Sequence, residues 1–188
     1  ALVATFEPAQ EGALQALETR LEMAAALGAP LAVVRLGASQ ALGATLGQVV
    51  HGLKAASGAA KRVNVTLALR NAPATAAESI ADLKTLTKQT DSAWLRYALD
   101  LLALPEGSDD SGALRRETVA GYHETGEIDT FGADERGDLR SVLRFLESFA
   151  GPLLLSYAGA EEERSAVPRL LNWVRGMLAK DVVTKATM

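Results

Sequence analysis

The sequence predicts an α/β fold in which a parallel sheet is covered by helices. Three observations predict it. Short strand-like apolar runs alternate with longer runs whose apolar residues recur at three- and four-residue steps, the pattern of strand–helix–strand units. The strand centres, at Val3, Val33, Leu67, Leu99, Gly121 and Leu154, fall roughly thirty residues apart, so the unit repeats. The strands are also nearly continuous in hydrophobicity, as strands buried on both faces are. Two architectures satisfy this pattern: an open doubly wound sheet, and part of an eight-unit barrel. No Gly-x-Gly-x-x-Gly follows the first strand and no Gly-x-x-x-x-Gly-Lys-Ser/Thr occurs, so the dinucleotide and P-loop fingerprints are absent.

The elements follow in order. Residues 1–6 (ALVATF) read as the first strand. Residues 11–27 form a helix with Leu14, Leu17, Leu21 and Ala24 on one face, and Gly28 is its stop. Residues 31–36 (LAVVRL) are the second strand, and residues 41–57 a helix with Leu42, Leu46, Val49, Val50 and Leu53 along one side. A third strand spans 63–69, a helix with Ile80, Leu83 and Leu86 spans 75–90, and a fourth strand spans 94–99. Residues 105–116 and 125–136 are polar loops around a fifth strand at 118–123. A helix at 138–149, a sixth strand at 152–157 and a final helix at 168–178 complete the pattern. The expected organisation is one domain over 1–180 with a frayed tail at 181–188. The chain opens with Ala1, already inside a strand, which leads to the expectation that something upstream is missing.

Composition narrows the function classes. The 188 residues are 48% hydrophobic and carry a net charge of -4, an ordinary globular balance. A pI near 5.3 argues against a broad electrostatic grip on nucleic acid. With no cysteine, disulfides, thiol nucleophiles and cysteine-ligated metal centres are excluded. No apolar run approaches the length of about eighteen residues that marks a membrane span. No signal peptide is visible, and the default location is cytoplasmic.

The chemistry-bearing residues sit at the carboxyl ends of strands, the edge that carries the ligand site in both architectures. They are Arg35, Arg70, Asn71, Asp100, His123 and Ser156, with Glu7 after the first strand. Period-two alternation groups Arg70 with Ala68 and Thr66, Asp100 with Ala98 and Arg96, His123 with Gly121 and Val119, and Ser156 with Leu154. That set is small or polar, while Leu67, Leu69, Leu99 and Leu155 on the other parity are large and apolar, as expected beneath helices. A charged strand end is often only the start of a solvated loop, and a lone histidine is often structural. Recurrence on successive strands raises the set above that reading. His51, mid-helix, reads as a surface or packing residue, and Glu161-Glu162-Glu163 as a solvated helix start.

Leu67-Ala68-Leu69-Arg70-Asn71-Ala72-Pro73-Ala74-Thr75, the helix after it and Asp91-Ser92 together resemble a stretch of the xylose-isomerase-like TIM-barrel superfamily. That superfamily holds sugar phosphate isomerases and epimerases and the family 2 AP endonucleases. Residues 21–36 (LEMAAALGAPLAVVRL) are similar to its helix ending Leu-Gly-Ala before a Val-Arg strand. His123 sits like the histidine of its seventh strand, and residues 151–157 (GPLLLSY) like its last strand. The resemblance implies a parallel (β/α) barrel of TIM type, incomplete here, with about six βα units that correspond to the third to eighth. An open arc of strands has unpaired edges. Missing upstream strands, a covering helix or loop, or a homodimer through the open sheet edges would each resolve them.

The resemblance also implies a divalent metal held by Glu, Asp, His and Glu at strand ends. Here those positions carry Arg70, Asp100, His123 and Ser156, and the histidines that usually follow Asn and Asp are Ala72 and Ala103. The ligand set is therefore degenerate: no metal ligands and no cofactor are assigned, and Arg70 is expected to pair with Asp100 where the ion would sit. The expected function is binding of a small carbohydrate, sugar phosphate or other anionic metabolite by Arg70, Arg35, Asn71 and Ser156. Should the chain be an active isomerase or epimerase without metal, Asp100 and His123 would be its catalytic acid/base groups beside Arg70. An endonuclease-like activity needs more histidine and carboxylate ligands than the sequence offers. No nucleic-acid or membrane partner is expected.

Overall fold

The computed structural model describes residues 1–37, 45–100, 118–125, 151–157, 159–160 and 162–185. Its elements are β1 (Leu2–Phe6), α1 (Ala13–Ala26), β2 (Leu31–Leu36), α2 (Leu46–Arg62), β3 (Thr66–Arg70), α3 (Ile80–Thr90), β4 (Leu95–Asp100), β5 (Thr118–Thr125), β6 (Leu153–Tyr157) and α4 (Glu163–Lys185). The expected loops at 105–116 and 125–136 and the helix at 138–149 lie outside the described residues or nearly so. None of the described helices is long and apolar enough to cross a membrane. The chain packs as two compact units, residues 1–122 with 151–154, and residues 123–150 with 155–188.

In the first unit the strands lie in the order β1-β2-β3-β4-β5-β6. β1 to β5 pair in parallel, and the Gly121 N–H donates to the Pro152 carbonyl at 3.0 Å just before β6. Sequential order decides between the two architectures left open by the sequence. A doubly wound sheet reverses its strand order at a switch point, whereas this one never does. Successive right-handed crossovers then place α1, α2 and α3 on the same face.

That face is identified by Tyr97, whose hydroxyl meets Thr87 Oγ1 of α3 at 2.7 Å. Alternation and register carry the same side to Phe6, Leu36, Leu67, Leu69 and Leu99, all buried. The opposite, inner face holds Leu31, Val33, Ala68, Ala98 and Ala120 with Leu154 packed against them. The predicted small-inside, large-outside division therefore holds for β3, β4 and β6. On β5 the inner residue is Ala120 rather than the expected Gly121 or Val119. The register slips there: Tyr97 pairs with Thr118 but Ala98 with Ala120, so Val119 is an extra residue that reverses the parity.

The helices start and stop where their caps dictate. α2 begins at Leu46, not 41, because Thr45 and Gln48 form a reciprocal capping box. It runs past Ser57-Gly58, read as its end, because Ala56, Ser57, Ala59 and Ala60 are buried and packing outweighs the cost of about 1 kcal/mol for glycine. The Ser57 hydroxyl is satisfied by the Leu53 carbonyl at 2.7 Å. α3 begins at Ile80, not 75, after a second capping box of Ser79 and Asp82. Residues 75–79 form a turn instead, closed by Thr75 Oγ1 donating to the Ala72 carbonyl and accepting from the Ala77 N–H.

In the second unit, Leu155 and Tyr157 of β6 pack against Ala166 and Leu170 of α4. α4 starts at Glu163, earlier than the predicted 168, and continues to Lys185, beyond 178. Pro168 lies within its second turn, where the missing N–H leaves the Arg164 carbonyl without its helical donor. Glu163 in the first turn faces the positive end of the helix dipole.

Candidate functional site

The carboxyl ends of β2, β3 and β4 bring three of the predicted residues onto one edge of the first unit. Arg35 and Arg70 are register partners across β2 and β3, and Arg70 is the partner of Ala98 across β3 and β4. Asp100, one alternation step beyond Ala98, closes β4. All three therefore share the inner face with the alanine layer beneath them.

Arg70 and Asp100 are each 8% exposed. Arg70 Nε lies 3.9 Å from Asp100 Oδ2, an ion pair at a separation longer than a hydrogen bond. The expected pairing is thus present as charge attraction. Arg35 differs: it is half-buried and makes neither a hydrogen bond nor an ion pair with any described residue. A partly desolvated guanidinium is well suited to meet an anionic group.

Asn71 is 0% exposed, and its Oδ1 accepts the Asp100 backbone N–H at 2.7 Å. It straps the end of β3 to the main chain at the end of β4. Its Nδ2 is buried without a hydrogen-bond partner among the described residues. The contact observed for Asn71 is internal, not at the ligand surface. The loop after it holds Ala74 at φ 58, in the left-handed region.

His123 lies on β5 in the second unit, and its side chain is outside the described residues. Ser156, half-buried on β6, also belongs to the second unit. Among the described residues no three His, Cys, Asp or Glu side chains gather closely enough to hold a metal ion. His51 is exposed on α2, as expected.

Two features escaped the sequence. Glu7 folds over Gly37: a Cβ on that glycine would stand 2.6 Å from Glu7 Oε1. Glycine directly after a Val-Val-Arg-Leu strand was the available signal, since it permits such an approach. A cavity of about 320 Å³ also opens between β1 and α1, lined by Thr5, Glu7, Gln10, Glu11 and Arg20 among others. No sequence pattern announces it.

Comparison with known proteins agrees with this geometry. The family model of the xylose isomerase-like TIM barrel matches residues 3–173. No curated protein sequence matches the chain. Among solved structures, the apo form of the 3-keto-D-glucoside 4-epimerase YcjR from E. coli superposes with a TM-score of 0.67 at 15% identity, covering 94% of this chain and 79% of that one. An L-ribulose 3-epimerase gives 0.67 at 16% identity, covering 93% and 69%. The IOLI protein with a bound zinc atom gives 0.69 at 12% identity, covering 95% and 76%. At such identities the likeness speaks to the fold. With the family model spanning nearly every described element, the chain belongs to the xylose isomerase-like TIM-barrel family.

Proposed function

We propose that the chain binds a small anionic carbohydrate at the carboxyl ends of β2 to β4, held by Arg35 and Arg70, with the Arg70 guanidinium standing where a divalent ion would stand in metal-dependent relatives. The observation that carries this reading is Arg35: a half-buried cation with no partner among the described residues, in register with a second arginine on the ligand edge. A guanidinium presents a planar fork that matches a carboxylate or phosphate with two parallel hydrogen bonds. Sugar epimerases among the structural neighbours support a carbohydrate as the remainder of the ligand.

These residues do not fit a divalent cation. An ion on Asp100 would approach a guanidinium whose Nε is 3.9 Å from the carboxylate. At about 4 Å from the guanidinium an ion would be repelled by about 4 kcal/mol per unit of ionic charge at an effective dielectric near 20. The built-in charge is buried, Arg70 being 8% exposed.

Calorimetric titration of the full chain with D-glucuronate, D-glucose 6-phosphate and D-glucose tests the reading. At least one anionic sugar should bind about tenfold or more tighter than glucose, and Arg35→Gln should remove that margin without changing the melting temperature appreciably. Equal binding of glucose, or anion binding indifferent to Arg35→Gln, refutes it.

A further inference from the structure

We infer that Glu7 is a binding residue of this site: its carboxylate receives hydroxyl groups of the ligand whose anionic group meets Arg35, so the site takes polyhydroxylated anions in preference to bare ones. The inference rests on the anionic-carbohydrate reading above and adds to it the group that recognises the sugar part.

The backbone gives the placement. β2 ends at Leu36, but its ladder to β1 runs one residue further, because the Gly37 N–H donates to the Phe6 carbonyl at 2.9 Å. Alternation therefore puts position 37 on the inner face, one step beyond Arg35. A glycine leaves that place empty, and Glu7 fills it. A Cβ on Gly37 would stand 2.6 Å from Glu7 Oε1 and 2.7 Å from Glu7 Cδ. The Glu7 carboxylate thus takes the inner-face place next to Arg35 along β2, where successive residues on one face are about 6–7 Å apart.

The turn that carries Glu7 is held at both sides. The Gln10 N–H donates to the Glu7 carbonyl at 2.9 Å. Pro8 lies against α2 at Gly52, where an added Cβ would stand 2.6 Å from Pro8 Cβ. Two glycines on different elements therefore clear room for two consecutive residues of the β1–α1 turn. A carboxylate seated in advance lowers the ordering cost of binding.

The bonding capacity of these groups is not consumed internally. Glu7 is half-buried, and its carboxylate makes neither a hydrogen bond nor an ion pair with any described residue. The same holds for Arg35, so an anion and a cation share one face without pairing with each other. Thr5, the register partner of Arg35, is exposed beside them. An ionised carboxylate only accepts hydrogen bonds, and a guanidinium only donates them. One ligand chemistry satisfies both: an anionic group that accepts from Arg35, on a molecule whose hydroxyls donate to Glu7. A bare anion would satisfy Arg35 and leave Glu7 as an unpaired like charge.

The test pairs each of two anionic sugars with an analogue stripped of the ring hydroxyls: D-glucuronate with tetrahydropyran-2-carboxylate, and D-glucose 6-phosphate with tetrahydropyran-2-ylmethyl phosphate. All four are titrated calorimetrically into the full chain. The quantity read is the affinity ratio within a pair, in which the charge effect of a substitution cancels. For at least one pair the sugar should bind about tenfold or more tighter than its analogue, and Glu7→Ala should remove most of that margin. Glu7→Gln, which keeps the side chain over Gly37, should remove part of it and gives the same readout if the alanine variant does not fold. Gly37→Ala displaces the carboxylate without deleting it and should lower the ratio as well. A ratio near one in the unsubstituted chain, or one that Glu7→Ala and Glu7→Gln leave intact, would overturn the role of Glu7; anion binding that still depends on Arg35 would then leave the underlying site standing. A ratio that survives Gly37→Ala would overturn the seating of Glu7 at that glycine. Binding of none of the four compounds would overturn both readings.

Discussion

Removing one member of the Arg70–Asp100 pair takes a counter-charge from a group that is 8% exposed. The separation sets the scale. At 3.9 Å the attraction between unit charges is about 4 kcal/mol at an effective dielectric of about 20. No hydrogen bond joins Nε to Oδ2, and the asparagine that would replace the aspartate keeps part of the dipolar attraction. We therefore expect Arg70→Met, Asp100→Asn and the double variant to report a coupling of about 2–3 kcal/mol in a double-mutant cycle. Each single variant should lose about 3 kcal/mol, a fall in Tm of roughly 6–12 °C for a chain of this length. Urea unfolding of the four proteins, followed through Trp94 just before β4, measures it. Because the pair is largely shielded from solvent, the coupling should persist at high salt. A coupling below about 0.5 kcal/mol would mean that the two charges act independently, and the idea that Arg70 supplies a resident positive charge to this carboxylate would fail.

Three further outcomes are expected. Manganese, magnesium or zinc should leave Tm unchanged within about 1 °C, whereas a site filled at about one hundred times its Kd would add roughly 2.7 kcal/mol; a rise that Asp100→Ala abolishes would contradict the misfit. Ala74→Gly should stabilise the chain by about 0.5 kcal/mol in urea unfolding, since relief of left-handed strain of about 1–2 kcal/mol exceeds the entropy that glycine adds to the unfolded chain, and a loss of stability would show that the φ of 58 is not strained. Gly37→Ala should cost about 1–3 kcal/mol by displacing Glu7, and Glu7→Ala in the same chain should restore most of it; a cost that the second substitution leaves untouched would place the strain elsewhere.

Much of the scaffold was legible because its signal is local. Strand positions follow from apolar runs and the division into faces from alternation, which puts Arg70 and Asp100 at strand ends; their pairing is what the family resemblance implies. The helix starts were misplaced because apolar periodicity continues through residues that caps exclude: Thr45 with Gln48 and Ser79 with Asp82 decide the first turns. The parity of β5 was illegible because a single extra residue, Val119, reverses it, and no propensity marks a bulge. The role of Asn71 was illegible for another reason. Its neighbour in sequence is a charged residue at the ligand edge, yet its own amide turns to a strand twenty-nine positions away, a long-range contact that composition does not encode. The division into two units likewise depends on packing between distant segments.

Arg70 stands directly across from Ala98, above a floor that also contains Ala68 and Ala120. Methyl-sized neighbours leave room on this face for a long side chain. A branched side chain at 98 would compete with Arg70 for that room, because the two positions are register partners. The low alanine floor thus sets how bulky a residue the edge above it can carry.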